Sequence, residues 1–133
     1  NVSLGIVHSM AHAVGGLFHV AHGLADAVLL PHIIRFNAAH SEEAKARYDV
    51  MAQRLGVKDM ADAVAALNAA LGIPATLGSV IPDAAAYQAK IPQMAALALA
   101  DGCTKTNPII PSVEEIAALY RQAYAGDAEG VRA

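Results

Sequence analysis

Tryptophan is absent from this chain, and two phenylalanines and four tyrosines are its only large aromatic residues. Strands favour aromatic and β-branched side chains in period-two alternation. No such alternation is sustained here, and alanine, a good helix former but a poor strand former, is everywhere, which excludes a sheet architecture. Charge is also scarce, at 16% of residues with a net value of -3, and the nine lysines and arginines stand singly. No basic stripe exists to follow a phosphate backbone, so nucleic acid is excluded as a partner. A lone cysteine, Cys103, rules out an internal disulfide and fits a reducing cytoplasm.

Long apolar runs are missing too. Between Leu4 and Ile34 the only formal charge is Asp26, yet five histidines and the pair Gly15-Gly16 interrupt the stretch. No segment reaches the roughly 20 apolar residues of a membrane span, and each polar ring in hydrocarbon would need a partner. Buried helices whose polar side chains share a pocket are the better reading. The first residue is not methionine and no basic region precedes an apolar stretch, so the N-terminus reads as a cut end rather than a signal peptide. No glycine-rich phosphate turn follows a strand anywhere, Gly15-Gly16 included, so a dinucleotide-binding domain is expected to be absent.

What the chain does have is helix punctuation. With 133 residues, 56% of them hydrophobic, it can bury roughly two thirds of its unfolded surface as one domain spanning residues 1–133. The pattern predicts a first helix from Leu4 to Val14, stopped by the glycine pair, and a connection from Leu17 to Ala21. A second runs from Gly23 to Phe36 and is kinked by Pro31. Ser41 caps a third over Glu42 to Leu55, ended by Gly56. Asp59 caps a fourth, with Met60, Val64, Leu67 and Leu71 as its apolar stripe before Gly72 and Pro74. Thr76 to Pro82 reads as loop. Asp83 opens a short helix to Lys90, and Pro92 starts another to Ala100. Ser112 and Glu115 form a capping box for the last helix, whose inner face is Val113, Ile116, Ala117, Tyr120 and Tyr124. The tail from Gly126 to Ala133 is expected to fray.

Chemistry concentrates in Gly5 to Gly23. His8 and His12 are one helical turn apart on one face, and His22 opens the next helix, so three imidazoles can reach one point. Neutral imidazole is the commonest ligand for a borderline divalent metal. A lone histidine is ordinarily a hydrogen-bonded ring in a core. Four within fifteen residues of apolar sequence bring the metal reading level with that one, because each ring carries a desolvation cost. By spacing alone, His12 is a ligand.

The run His8-Ser9-Met10-Ala11-His12, the glycine pair, and His22-Gly23-Leu24-Ala25-Asp26-Ala27-Val28-Leu29-Leu30-Pro31-His32 resemble the histidine signature of iron-containing alcohol dehydrogenases. The likeness continues through Leu71-Gly72-Ile73-Pro74, Ala100-Asp101-Gly102-Cys103-Thr104, Asn107-Pro108 and the final helix from Ser112. Asp26 stands where asparagine is usual, Ala21 where proline is, and Ile109 where arginine commonly follows Asn-Pro. His22-Gly23 favours the alcohol dehydrogenase branch over the related maleylacetate reductases, which usually carry His-Ala.

The resemblance implies an all-α, multi-helix C-terminal domain of the dehydroquinate synthase-like fold, holding one Fe2+, sometimes Zn2+. It implies His8 and His22 as metal ligands, the remaining Asp and His ligands lying upstream. It places His12 beside the metal without ligating, as the proton-handling and cofactor-positioning residue. Cys103 lies in a loop of the cofactor cleft, where a buried, inert thiol is an equal alternative. His19, His32 and His40 are assigned structural or surface positions. The parent protein is expected to be a cytoplasmic, homo-oligomeric NAD(P)-linked enzyme acting on a small alcohol, diol or aldehyde, the fragment itself being inactive. The rival is a non-catalytic helical domain that binds a metal or a partner through the same histidines. The mass of the intact gene product separates the two.

Overall fold

The computed structural model describes residues 5–125. The helix start at Leu4 and the fraying tail lie outside the described residues. Within them are six α-helices: α1 Gly5–Phe18, α2 His22–His40, α3 Glu42–Leu55, α4 Met60–Ala70, α5 Ala84–Ala100 and α6 Val113–Ala125. Two 3-10 turns, Leu77–Ser79 and Gly102–Thr106, complete the architecture, and no strand occurs among the described residues. The all-helical expectation holds. None of these helices is long and apolar enough to cross a membrane.

The caps are where the sequence placed them. Ser41, Asp59 and Asp83 each accept a backbone N–H of the following turn, from Ala44, Asp62 and Ala86. Ser112 and Glu115 satisfy each other's backbone N–H groups at 2.8 and 3.1 Å. Gly56 ends α3 in the left-handed conformation, with φ 73°.

Four boundaries differ from expectation. The glycine pair does not stop α1, which runs on to Phe18. Leu17 and Phe18 pack on the core, and Phe18 lies against Tyr87 with ring centroids 5.9 Å apart, so packing outweighs the roughly 1 kcal/mol that each helical glycine costs. The stop falls at His19, whose φ is 58° and whose N–H donates to the Gly15 carbonyl. The second helix starts at His22 and continues to His40, beyond the expected Phe36. Residues 84–100 form one helix rather than two, with Pro92 inside it. Pro92 is exposed, as is Gln88, whose carbonyl loses its helical partner, and water can supply that bond. Within the expected loop, Leu77 is fully buried in its 3-10 turn.

Pro31 is buried and lies within a helix that runs through it. Its missing N–H would orphan the carbonyl four residues earlier, that of Ala27. The side-chain amide of Asn68 on α4 donates to that carbonyl at 2.8 Å. This contact sets the rotation of α4, and it explains a further departure: Leu67 and Leu71 are exposed while Ala61 and Asn68 are buried.

The main core is built around α1, with Ile6, Met10 and Val14 fully buried against Leu29, Ile33, Ile91, Met94 and Ile116. Leu119 and Ala123 join the expected inner face of α6. Tyr87 donates to the Tyr120 carbonyl and Tyr120 donates to the Met10 carbonyl, each at 2.7 Å. Burial pushes both phenols far above the usual tyrosine range, so they stay donors.

Two substitutions test this account. Asn68→Ala leaves the part-buried Ala27 carbonyl without its side-chain donor and is expected to cost about 1 kcal/mol. Gly16→Ala, at a helical position with nothing near an added Cβ, is expected to stabilise by about 0.5–1 kcal/mol. Thermal or urea unfolding of the two variants reads both signs. A destabilising Gly16→Ala would mean that α1 does end at the glycine pair.

Candidate metal centre

From Gly5 to Gly16, α1 is enclosed on nearly every side. Only His8, His12 and Gly16, at spacings of four, are exposed along this stretch. Helix α2 packs alongside and brings His22, at its first residue, against the same line. The His8 and His22 rings stack with centroids 5.8 Å apart and planes 13° from parallel. His12 and His22 stack at 5.0 Å. The three histidines converge on one open face, as their spacing predicted, each with about half its side chain exposed.

Two carboxylates that the sequence did not single out as site residues serve this face. Asp26, one turn beyond His22 on α2, places Oδ2 3.0 Å from His22 Nε2 and Oδ1 3.6 Å from His8 Nδ1. Its Oδ1 is shielded from solvent and accepts no hydrogen bond. One donor atom from each of His8, His22 and Asp26 can be chosen so that all lie within 4.8 Å. Neutral imidazoles beside a carboxylate oxygen with free lone pairs are surroundings that suit a borderline divalent cation such as Fe2+ or Zn2+.

Asp101 serves His12. Its Oδ2 lies 2.8 Å from His12 Nδ1, and its Oδ1 accepts the Cys103 N–H at 2.9 Å. The His12 hydrogen bond first, and the Cys103 N–H second, hold the Asp101 carboxyl below the usual carboxylate range. An ionised carboxylate can only accept, so His12 Nδ1 carries the proton and the neutral ring keeps Nε2 as a free acceptor. No local signal linked these residues, which are 89 positions apart. Asp26 had one: it lies four residues after His22 on a helix.

Cys103 sits beside this pair, half-buried, with its sulfur in one cluster with a His12 nitrogen and an Asp101 oxygen. Burial first, then the neighbouring Asp101 carboxylate, pushes its thiol up, so it stays protonated and lacks thiolate reactivity. Asn107 turns away from the histidines into a buried amide pair, donating to Asn37 Oδ1 at 2.8 Å while Asn37 donates back at 3.2 Å. Its work is structural. His32 is buried and His19 exposed, while His40 stacks on Phe36 at 4.2 Å. The concavity walled by Glu43, Arg47, Tyr48, Thr106 and Pro108 includes none of the histidines.

The sequence profile of the Fe-containing alcohol dehydrogenase family, C-terminal part, matches residues 1–124. The lactaldehyde reductase of Escherichia coli K12 is 38% identical over 93% of this chain and 34% of its own length. The 1,3-propanediol dehydrogenase of Citrobacter freundii is 40% identical over 93% of this chain and 33% of its own. An iron-containing alcohol dehydrogenase structure from Thermococcus thioreducens superposes with a TM-score of 0.84 at 36% identity, covering 91% of this chain and 32% of that one. The chain thus spans about a third of the length of the curated relatives it matches. It belongs to the Fe-containing alcohol dehydrogenase family and corresponds to the C-terminal part of its members.

Proposed function

We propose that this chain is the metal-holding helical part of an NAD(P)-linked alcohol dehydrogenase that interconverts short alcohols or diols with their aldehydes or ketones. The observation that carries the proposal is the convergence of His8, His12 and His22 on one open face of an otherwise enclosed helix pair. The activities for which the relatives are named supply the reaction class, and their roughly threefold greater length supports an upstream domain that carries the nicotinamide cofactor. On this reading the open histidine face forms one wall of a cleft.

His8 and His22 would hold the divalent metal, Fe2+ or Zn2+, together with upstream Asp and His ligands. When bound, the metal supplies Lewis acidity to the substrate oxygen. His12 handles the proton. Its free Nε2 would accept the alcohol proton and return it to the oxygen in the reductive direction, and a bound nicotinamide would supply the hydride chemistry. Asp101 fixes the tautomer and steadies the imidazolium that forms. Cys103 lines the cofactor side of His12 as a neutral thiol.

Alanine replacements in the full-length protein separate these roles. His8→Ala and His22→Ala are expected to empty the site and abolish turnover. His12→Ala is expected to retain the metal and to lower the maximal rate about 10²–10⁴-fold. Metal analysis alongside a pH–rate curve decides it. Loss of metal from His12→Ala with retention in His8→Ala would reverse the assignment and make the simple helix-face pair the ligands.

Asp101 gives a pH-dependent prediction. Its folded-state pKa is depressed, so its stabilising contribution is present above the ordinary carboxylate range and is lost as pH falls through the lowered value. Asp101→Asn should lower Tm near neutral pH, and the gap to wild type should close in acid below the ordinary carboxylate range. The same variant should reduce kcat by less than His12→Ala does and leave KM unchanged. A Tm gap that persists in acid would show that shape, not charge, is what Asp101 contributes.

A further inference from the structure

Among the described residues, Asp26 is the one carboxylate that lies within 4 Å of two histidines, and it reaches both from a fixed place. It shares α2 with His22 one turn away, while His8 approaches from α1. Donor atoms around a single cation, with bonds of about 2.0–2.2 Å at angles of about 90–110°, are about 2.8–3.6 Å apart. His22 Nε2 lies 3.0 Å from Oδ2 and His8 Nδ1 lies 3.6 Å from Oδ1, each within that interval for its own carboxylate oxygen. The longer one is not a hydrogen bond. Oδ1 is therefore a shielded carboxylate oxygen within reach of His8 and with no donor of its own.

We propose that Asp26 is a third cation donor from this chain, making His8, His22 and Asp26 a two-imidazole, one-carboxylate set. The inference rests on the reading of His8 and His22 as metal ligands. A carboxylate does two things that a neutral side chain at this position would not. It offsets one charge of a divalent ion, and it supplies a hard oxygen beside two imidazole nitrogens, a mixture suited to Fe2+, Zn2+ or Co2+. Without a cation, His22 Nε2 and Asp26 Oδ2 satisfy each other directly. With one, their lone pairs turn to the shared ion.

The test is cation binding by the 133-residue chain itself, read by the visible absorption of Co2+ and by calorimetry with Zn2+. The wild-type chain is expected to take up one ion. Asp26→Asn, which keeps the shape and removes the charge, is expected to raise the apparent Kd at least about tenfold, with circular dichroism reporting that the fold is kept. Asp26→Ala is the second variant, since an amide oxygen retains weak donor capacity. His40→Ala, outside the site, serves as the control. If both Asp26 variants bind as wild type while His8→Ala and His22→Ala do not bind, the Asp26 proposal fails and the histidine reading stands. If the histidine variants also bind as wild type, both fail. No uptake by the wild-type chain overturns the three-donor set.

Discussion

Everything at the candidate site depends on the enclosure of α1. Its residues Ile6, Val7, Met10, Ala11, Ala13 and Val14 are buried, with α2, α5 and the Gly102–Thr106 turn packed against it, and Ser9 is buried as well. A helix surrounded in this way cannot rotate without exposing a large apolar area, at about 25 cal/mol per Å². The line left open, His8, His12 and Gly16, is therefore fixed first by hydrophobic packing. Gly16 leaves room beside His12. The site is polar because of what the core does not cover.

Polar groups then lock the neighbours to that helix. The Gly102–Thr106 turn lies against the start of α1 so closely that a Cβ on Gly5 would collide with the Cys103 carbonyl. Thr104 Oγ1 bonds to Ser9 Oγ at 2.7 Å and donates to the Ala98 carbonyl at 2.6 Å. Those bonds join the turn to α1 on one side and to the end of α5 on the other. Asp101 immediately precedes the turn, so its position opposite His12 follows from them. On the far side of the turn, the Asn37–Asn107 amide pair ties the chain to α2. Each buried polar side chain here has a partner, as low-dielectric surroundings demand.

Local signals were legible in the sequence and long-range ones were not. Ser41, Asp59, Asp83 and Ser112 cap their helices as read, because a cap is settled within four residues. The glycine pair was misread because propensity is a weak preference that packing of Leu17 and Phe18 overrides. Pro92 was misread because its cost depends on whether the freed carbonyl meets water. The apolar stripe through Leu67 and Leu71 was misread because Asn68, a polar residue, was the one that turned inward. The pairing of His8 and His12 needed only helical spacing, and the short connection to α2 brought His22 to them. Asp101 needed the tertiary fold.

The two carboxylates divide one row of similar rings into two environments. His22 stacks on both His8 and His12, so ring type and position alone do not distinguish its neighbours. Their carboxylates do. Asp101 already takes a backbone N–H and bonds His12 at a full hydrogen-bond distance, which commits Nδ1 as a donor and leaves a single acceptor nitrogen. That arrangement suits a ring that exchanges one proton. Asp26 takes no backbone donor and lies between two rings with one oxygen unsatisfied, which suits nitrogens that share an ion. The two carboxylates thus differ in how many hydrogen bonds they have already used, and that difference is what separates the environments along this row.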